Sequence, residues 1–378
     1  MKKTLCFLAS IALLASCQQG EILVDTTETP EAPRRIGFET FVNKSTRAGN
    51  STLLQDFYPT FNVYGWKTVG SETTCVFNNV PVEYFATDKQ GTVVYKEENC
   101  KPSDEWTFAE GWYYENVRYW DQMASKYQFT AYAPAATNGT IDCNADGLIT
   151  IGSKDYPVTV DSKNLLADEP STELAFTGFN LDYMTAQSTV AASPVALEFK
   201  HLQAKFNVRI RLDSSITTAQ DVSVRKIEIH NLAEKGYYTN ESTAPASAVN
   251  GWSTCGISQS YVPAVNTAYS LNADANYDNY YVLEQLIIPQ TIKRPEAYKG
   301  PSIEEFAEAC IYVEYTIGTE LFKSYTPLAC IFANTATTYT FKAGNQYTIN
   351  INVGPKPIYF TTSVSEWVEG ANEDLDLD

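Results

Sequence analysis

The chain has 378 residues, 27 Lys and Arg against 45 Asp and Glu, two His and a formal charge of −18. That acidity excludes a nucleic-acid binder, because phosphate backbones need clustered Lys and Arg. Two His leave little material for His-based catalysis, and 13% aromatic residues within 44% hydrophobic content exclude global disorder. A chain this long divides most naturally into two domains of ordinary size.

Met1-Lys2-Lys3 is a short basic start, and Thr4 to Ala15 is apolar. The run has the size of a signal-peptide core and falls short of the ~20 residues a spanning helix needs. It ends in Leu14-Ala15-Ser16-Cys17, the small-residues-then-Cys pattern that a lipoprotein signal peptidase reads. Residues 1–16 are therefore expected to be removed and Cys17 to carry acyl chains that anchor a soluble body. An ordinary secreted protein with Cys17 near its cleavage site is the plainer alternative. Beyond Cys6 and Cys17, six cysteines remain (Cys75, Cys100, Cys143, Cys255, Cys310, Cys330) with no CxxC. Six is an even number, so a full set of disulfides fits an oxidising compartment, and so do mostly buried free thiols with one or two bridges.

Residues 18–33 are polar, acidic and Pro-containing, which reads as a tether. Next, Ile36, Phe38, Thr40 and Val42 alternate along one side of a half-buried strand. The polar stretch 43–50 follows and holds Arg47-Ala48; such loops are where proteases cut. From there on, short β-branched and aromatic runs are separated by Gly, Pro, Asn and Asp. They include Phe61 to Trp66, Gln128 to Tyr132, Ala196 to Leu212, Val222 to Ile229, Ile311 to Ile317 and Gln346 to Val353. Regular spacing of this kind predicts an all-β chain of sandwich type. Ser302-Ile303-Glu304-Glu305 has a capping-box pattern that predicts one short helix. Trp112 to Tyr127 has no clean period and reads as a loop with at most one helical turn. The Ser/Thr/Ala stretch 185–194 is the best domain boundary, giving units of roughly 48–190 and 191–378. Near the C-terminus Ile358, Phe360, Thr362 and Val364 again alternate along one strand, and an acidic tail, 372–378, follows.

Asp142, Asn144 and Asp146, followed by Gly147, match the opening of a Ca²⁺-binding loop. The twelfth position is Ser153 rather than Glu, so the stretch reads equally as a hairpin turned by Asn-Ala-Asp-Gly. His201 and His230 each stand alone. Glu97-Glu98 and Glu304-Glu305 are carboxylate pairs, but neighbours on a strand face opposite ways and carboxylates suit a helix's first turn, so solvated charge is favoured over glycoside cleavage. There is no G-x-S-x-G, P-loop or zinc spacing, and neither a cofactor nor a catalytic residue is expected. A strand near each end, one followed by a cuttable Arg, suggests strand donation between chains, since a sandwich short of one strand offers an apolar groove and unpaired backbone groups.

With these features the sequence resembles the fimbrillin family of Bacteroidetes surface pili. The resemblance rests on the lipobox at Cys17, the Ile36/Phe38 strand, Ser45 to Ala48, Trp120 with Tyr127 to Pro134, and Asn164 to Ala167. It continues through Leu197 to Phe206, Ile287 to Gln290, and Ala343 to Tyr347 leading to Trp367. It implies two transthyretin-like β-sandwich domains in tandem with little helix, and export as an outer-membrane lipoprotein whose pro-segment is 17–47. It further implies cleavage by an Arg-specific protease between Arg47 and Ala48. Loss of the strand bearing Ile36, Phe38, Thr40 and Val42 then opens a groove for another pilus subunit. The donor is either the strand bearing Ile358, Phe360, Thr362 and Val364 or the tail. An acidic tail departs from a segment meant for burial, because unpaired buried charge is costly. Shaft, anchor and tip roles, the last with a host or bacterial surface ligand, all stay open. The rival from another class is a surface carbohydrate-binding lipoprotein of a glycan-uptake system using Trp66, Trp106, Trp112 and Trp252 as stacking platforms.

Overall fold

Period-two alternation turns into strands wherever one face can be buried. A computed structural model describes residues 34–42, 54–56, 58–85, 111–133, 135, 141–159, 184–188, 194–212, 222–255, 269–270, 281–296, 298–333, 336–353 and 358–366. The elements begin with β1 (Phe38–Val42), a 3-10 turn (Leu54–Asp56), β2 (Thr60–Val69), β3 (Glu72–Phe85), β4 (Gly111–Tyr114) and β5 (Lys126–Ala133). There follow β6 (Ile141–Cys143), β7 (Ile149–Ile151), β8 (Val158–Thr159), β9 (Met184–Ser188), β10 (Val195–His201) and β11 (Ala204–Leu212). Then come β12 (Val222–His230), β13 (Lys235–Thr239), β14 (Trp252–Thr254), β15 (Tyr269–Ser270), β16 (Tyr281–Ile287) and β17 (Gln290–Lys293). The last are β18 (Cys310–Ile317), β19 (Glu320–Pro327), the helix α1 (Leu328–Phe332), β20 (Thr338–Phe341), β21 (Asn345–Val353) and β22 (Tyr359–Glu366). The chain is all-β, as the sequence predicts.

The first sheet has seven strands in the order β1-β10-β9-β5-β2-β3-β4. It curls so that side chains from β1, β10, β5, β2, β3 and β4 meet in one aromatic-rich core, which includes Phe38, Phe61, Phe77, Tyr114, Phe129 and Phe199. Two four-stranded sheets, β16-β11-β21-β22 and β15-β12-β18-β19, share a second core. Phe206, Val208 and Ile210 of β11 meet Ile227 of β12 and Ile311 and Val313 of β18 there, which is sheet-on-sheet packing. A fourth sheet, β14-β13-β7-β6 with β8 on β13, closes a third core with Tyr64, Trp66 and Tyr132 from the first sheet. A two-stranded sheet joins β17 to β20.

Sheet membership does not follow the expected division at residue 190. Val195–His201 pairs with β1 and β9 in the first sheet, and β13 pairs with β7 and β8. The helix expected at Ser302 does not form. Ser302 exchanges two backbone hydrogen bonds with Tyr325, and its hydroxyl accepts from the Glu304 N–H at 2.9 Å. Its side chain closes a local turn instead of a helix, the usual competition for Ser. Among the described residues the α-helix is α1, which has Pro327 at its N-cap and no side-chain cap, so no sequence signal marked it. Within Trp112 to Tyr127, expected as loop, Trp112 to Tyr114 lie in β4 and Lys126 already begins β5.

Candidate functional site

β1 occupies a slot at the end of the first sheet. Its alternation puts Ile36, Phe38, Thr40 and Val42 inward at 0%, 6%, 1% and 2% exposure, while Glu39 lies in solvent. β1 runs parallel to β10, with Phe38 opposite Val195, Thr40 opposite Leu197 and Val42 opposite Phe199. The Phe38 ring stands edge-on to Phe61, Phe77, Tyr114 and Phe129 at centroid distances of 5.5–6.0 Å. Edge-to-face rings at this spacing are mutually attractive beyond their buried area.

Backbone pairing fixes the entrance. The Ile36 N–H donates to the Arg118 carbonyl at 2.9 Å, and the Tyr114 hydroxyl donates to the Ile36 carbonyl at 2.7 Å. The Val195 N–H donates to the Gly37 carbonyl at 2.7 Å. Burial holds the Tyr114 hydroxyl above the ordinary phenol pKa, so it stays a donor. Arg118 lies 4.7 Å over the Phe77 ring and donates through Nε to the Val76 carbonyl at 2.6 Å, which braces the same corner. Tyr114 and Arg118 come from the stretch expected as loop; the Trp112/Tyr114 alternation was the one signal available for them. Thr40 Oγ1 is buried without a partner, so the slot carries one unsatisfied polar atom.

At the other end of the chain, β22 is the edge strand beside β21, antiparallel to it, with Ile351 opposite Phe360 and Tyr347 opposite Val364. Ile358 is buried and Phe360 half-buried, but residues 361–366 are all exposed, with Val364 at 47%. Cys17, Arg47, Ala48 and the tail lie outside the described residues, as do the signal segment, Trp106 and the Glu97-Glu98 pair.

The other predicted sites resolve into structure. Asp142, Asn144 and Asp146 lie on the β6–β7 hairpin. Asn144 Oδ1 accepts from the Asp146 and Leu148 N–H groups at 3.0 and 2.9 Å, and Gly147 takes φ +75° to close the turn. Asp142 Oδ1 accepts from the Cys143 N–H. These acceptors serve the backbone of a hairpin, and among the described residues no group of three or more His, Cys, Asp or Glu could hold a metal. His230 lies between Glu305 on Nδ1, 2.9 Å, and Glu228 on Nε2, 3.1 Å, a network that straps residues 305–306 onto β12 with help from Asn231. His201 is buried. Trp66, Trp112 and Trp252 are core residues and offer no flat exposed face, which removes three of the four candidate sugar platforms. Cys75, Cys143, Cys255, Cys310 and Cys330 are free thiols. No helix among the described residues is long and apolar enough to cross a membrane.

Several solved structures are similar. One, described as a candidate cell-adhesion protein of Bacteroides uniformis, is 16% identical with a TM-score of 0.46, covering 88% of this chain and 98% of that one. A fimbrial protein of Bacteroides vulgatus is 15% identical with a TM-score of 0.46, covering 89% and 100%. The tip fimbrial protein Mfa3 of Porphyromonas gingivalis, with a C-terminal truncation, is 13% identical with a TM-score of 0.39, covering 82% and 94%. No curated protein matches the chain. The fimbrillin-like family profile matches residues 46–367, most of the sequence, and the chain belongs to that family.

Proposed function

We propose that this protein is a non-enzymatic subunit of surface pili or a pilus-associated adhesin, exported as a lipoprotein and assembled by strand exchange. Residues 1–16 are the signal peptide, Cys17 carries the lipid to the outer membrane, and 17–47 is a pro-segment. An Arg-specific protease cuts between Arg47 and Ala48. β1 then leaves, and a strand of another pilus subunit takes its slot, with β22 the candidate donor.

The observation that carries this reading is the burial of β1 just upstream of Arg47. A strand released by that cut would vacate places filled by Ile36, Phe38 and Val42. Burying three such side chains is worth roughly 5–9 kcal/mol before entropic losses. An empty slot would also bare the inward faces of Leu197 and Phe199 and the Val195 N–H. A groove of that kind takes up an added strand. The slot is built of aromatic and aliphatic side chains and backbone groups, chemistry suited to holding a strand rather than to bond-breaking.

The test is to treat the full chain with an Arg-specific protease and sequence the product's N-terminus. The reading predicts Ala48 as the first residue, loss of the β1 peptide and association of the product, all blocked by Arg47→Ala. A product that retains β1 and stays monomeric would overturn it.

A further inference from the structure

The sheet containing β12, β18 and β19 carries a polar network on the face away from its core. Cross-strand pairing sets Glu228 opposite Tyr312 and Tyr312 opposite Tyr325, so these side chains share one face. Ile227, Ile229, Ile311 and Val313 point the other way, into the core. His230 lies two residues past Glu228 on the outer face, opposite Cys310. Glu228, His230 and Tyr312 are nevertheless only 6%, 7% and 5% exposed.

Residues 302–309 form a strap fastened at both ends of this corner. Ser302 exchanges two backbone hydrogen bonds, 3.0 and 2.7 Å, with Tyr325 on β19, the terminal strand of its sheet. At the other end the Leu328 N–H donates to the Ala309 carbonyl at 2.8 Å. Between them Glu305 meets His230. The imidazole stands between two carboxylates, with Nδ1 2.9 Å from Glu305 Oε1 and Nε2 3.1 Å from Glu228 Oε2. A neutral imidazole has one N–H and turns a lone pair on the second carboxylate, whereas the imidazolium has two and satisfies both.

We infer that the strap is a proton-operated latch, closed over the β19 edge when His230 carries both protons and loosened when the ring gives one up. The closed form then binds one proton more than the open form, so closure strengthens as pH falls and weakens as pH rises. Histidine ordinarily changes charge between about pH 5 and 8. The other groups around the ring set its surroundings. Lys226 pairs with Glu228 at 2.5 Å and stands 5.8 Å over the Tyr312 ring. Tyr312 and Tyr325 lie 6.2 and 5.6 Å from the imidazole, and Tyr312 donates to Glu314 at 2.6 Å. Burial holds both phenols above their ordinary pKa and lifts the Cys310 thiol, near Glu305 and Glu308, to about 11. These three therefore stay neutral across the histidine range.

Part of the hold is independent of protons. Asn231 Nδ2 donates to the Phe306 carbonyl at 2.9 Å and to Glu305 Oε1 at 3.3 Å, so the strap loosens rather than detaches. Loosening frees the N–H and C=O of Tyr325 from Ser302. A bare strand edge is a template for pairing with another chain, and the closed strap covers it.

Hydrogen exchange of the full chain at the Ser302 and Tyr325 amides tests this. Their protection, corrected for intrinsic rates, should fall about tenfold from about pH 5.5 to about pH 8, while the amides of β11 in the core keep theirs. The fall should vanish in His230→Gln, whose amide takes up no second proton. It should shrink in Glu305→Gln, which keeps the length of the strap's side chain without its charge. Protection that stays constant over this range in the native chain would overturn the inference. So would a fall that persists at full size in either variant, or one that the β11 amides share.

Discussion

The hydroxyl of Tyr114 reaches the carbonyl oxygen of Ile36 at 2.7 Å, tying β4 to the start of β1 across 78 residues of sequence. That bond closes the curled first sheet, whose two terminal strands are β1 and β4. It also adds a side-chain tether to an end of the candidate leaving strand that the Ile36 and Val195 backbone hydrogen bonds hold as well.

Tyr114→Phe should therefore weaken the seat of β1 without emptying the core. The ring stays among Phe38 and Phe77, but the buried Ile36 carbonyl loses a donor. A buried acceptor deprived of its partner costs about 1–3 kcal/mol. Urea unfolding should show a lower midpoint with an unchanged slope, and an unchanged midpoint would mean that water or the Arg118 backbone serves as well.

Phe38→Ala should be far more damaging than Val364→Ala, although both lie on strands of the same inward pattern. Phe38 is enclosed by four rings, and truncating such a side chain costs about 3–5 kcal/mol. Val364 is 47% exposed, where the loss should stay within about 0.5 kcal/mol. Thermal or denaturant unfolding of the untrimmed chain measures the difference, and equal losses would show that β22 is buried in the intact protein.

Alkaline pH should loosen the sheet in which β12 and β18 are neighbours. Burial pushes the Cys310 thiol up from its ordinary 9.0 to about 11. The folded state thus holds this proton more tightly than the unfolded chain does. The contribution is complete below pH 9 and is lost as pH rises from about 9 through about 11. The stability decline over that window should be shallower in Cys310→Ala than in the native sequence; identical slopes would contradict the assignment.

Much of the β content was legible because burial on one face imposes a period of two. Ala204, Phe206, Val208, Ile210 and Leu212 alternate in the sequence and are all buried in β11. What local pattern could not supply was pairing. Nothing in Phe38–Val42 says that it lies parallel to Val195–Phe199, because partner choice depends on the whole curled sheet. β3 is not among the runs singled out in the sequence, and Asn78-Asn79 and Pro81 interrupt its pattern. In the fold Asn79 takes φ +52° beside a register shift, and its Oδ1 accepts from Asn62 and from the Tyr132 hydroxyl, both at 2.8 Å. Tertiary hydrogen bonds hold a local breaker inside a strand, and those partners are distant in sequence. The candidate slot was half visible: the alternation of β1 showed which side chains point inward, while the receiving cage drew on Tyr114 and Arg118, from a stretch with no readable period.

Hydrogen exchange at the β10 backbone addresses the central claim most directly. In the intact chain the Val195 N–H is bonded to the Gly37 carbonyl at 2.7 Å and should be protected. After cleavage with an Arg-specific protease, amides of Val195–Phe199 should exchange faster, then regain protection as the product associates. Protection that never changes on cleavage, with β1 still in place, would contradict the account.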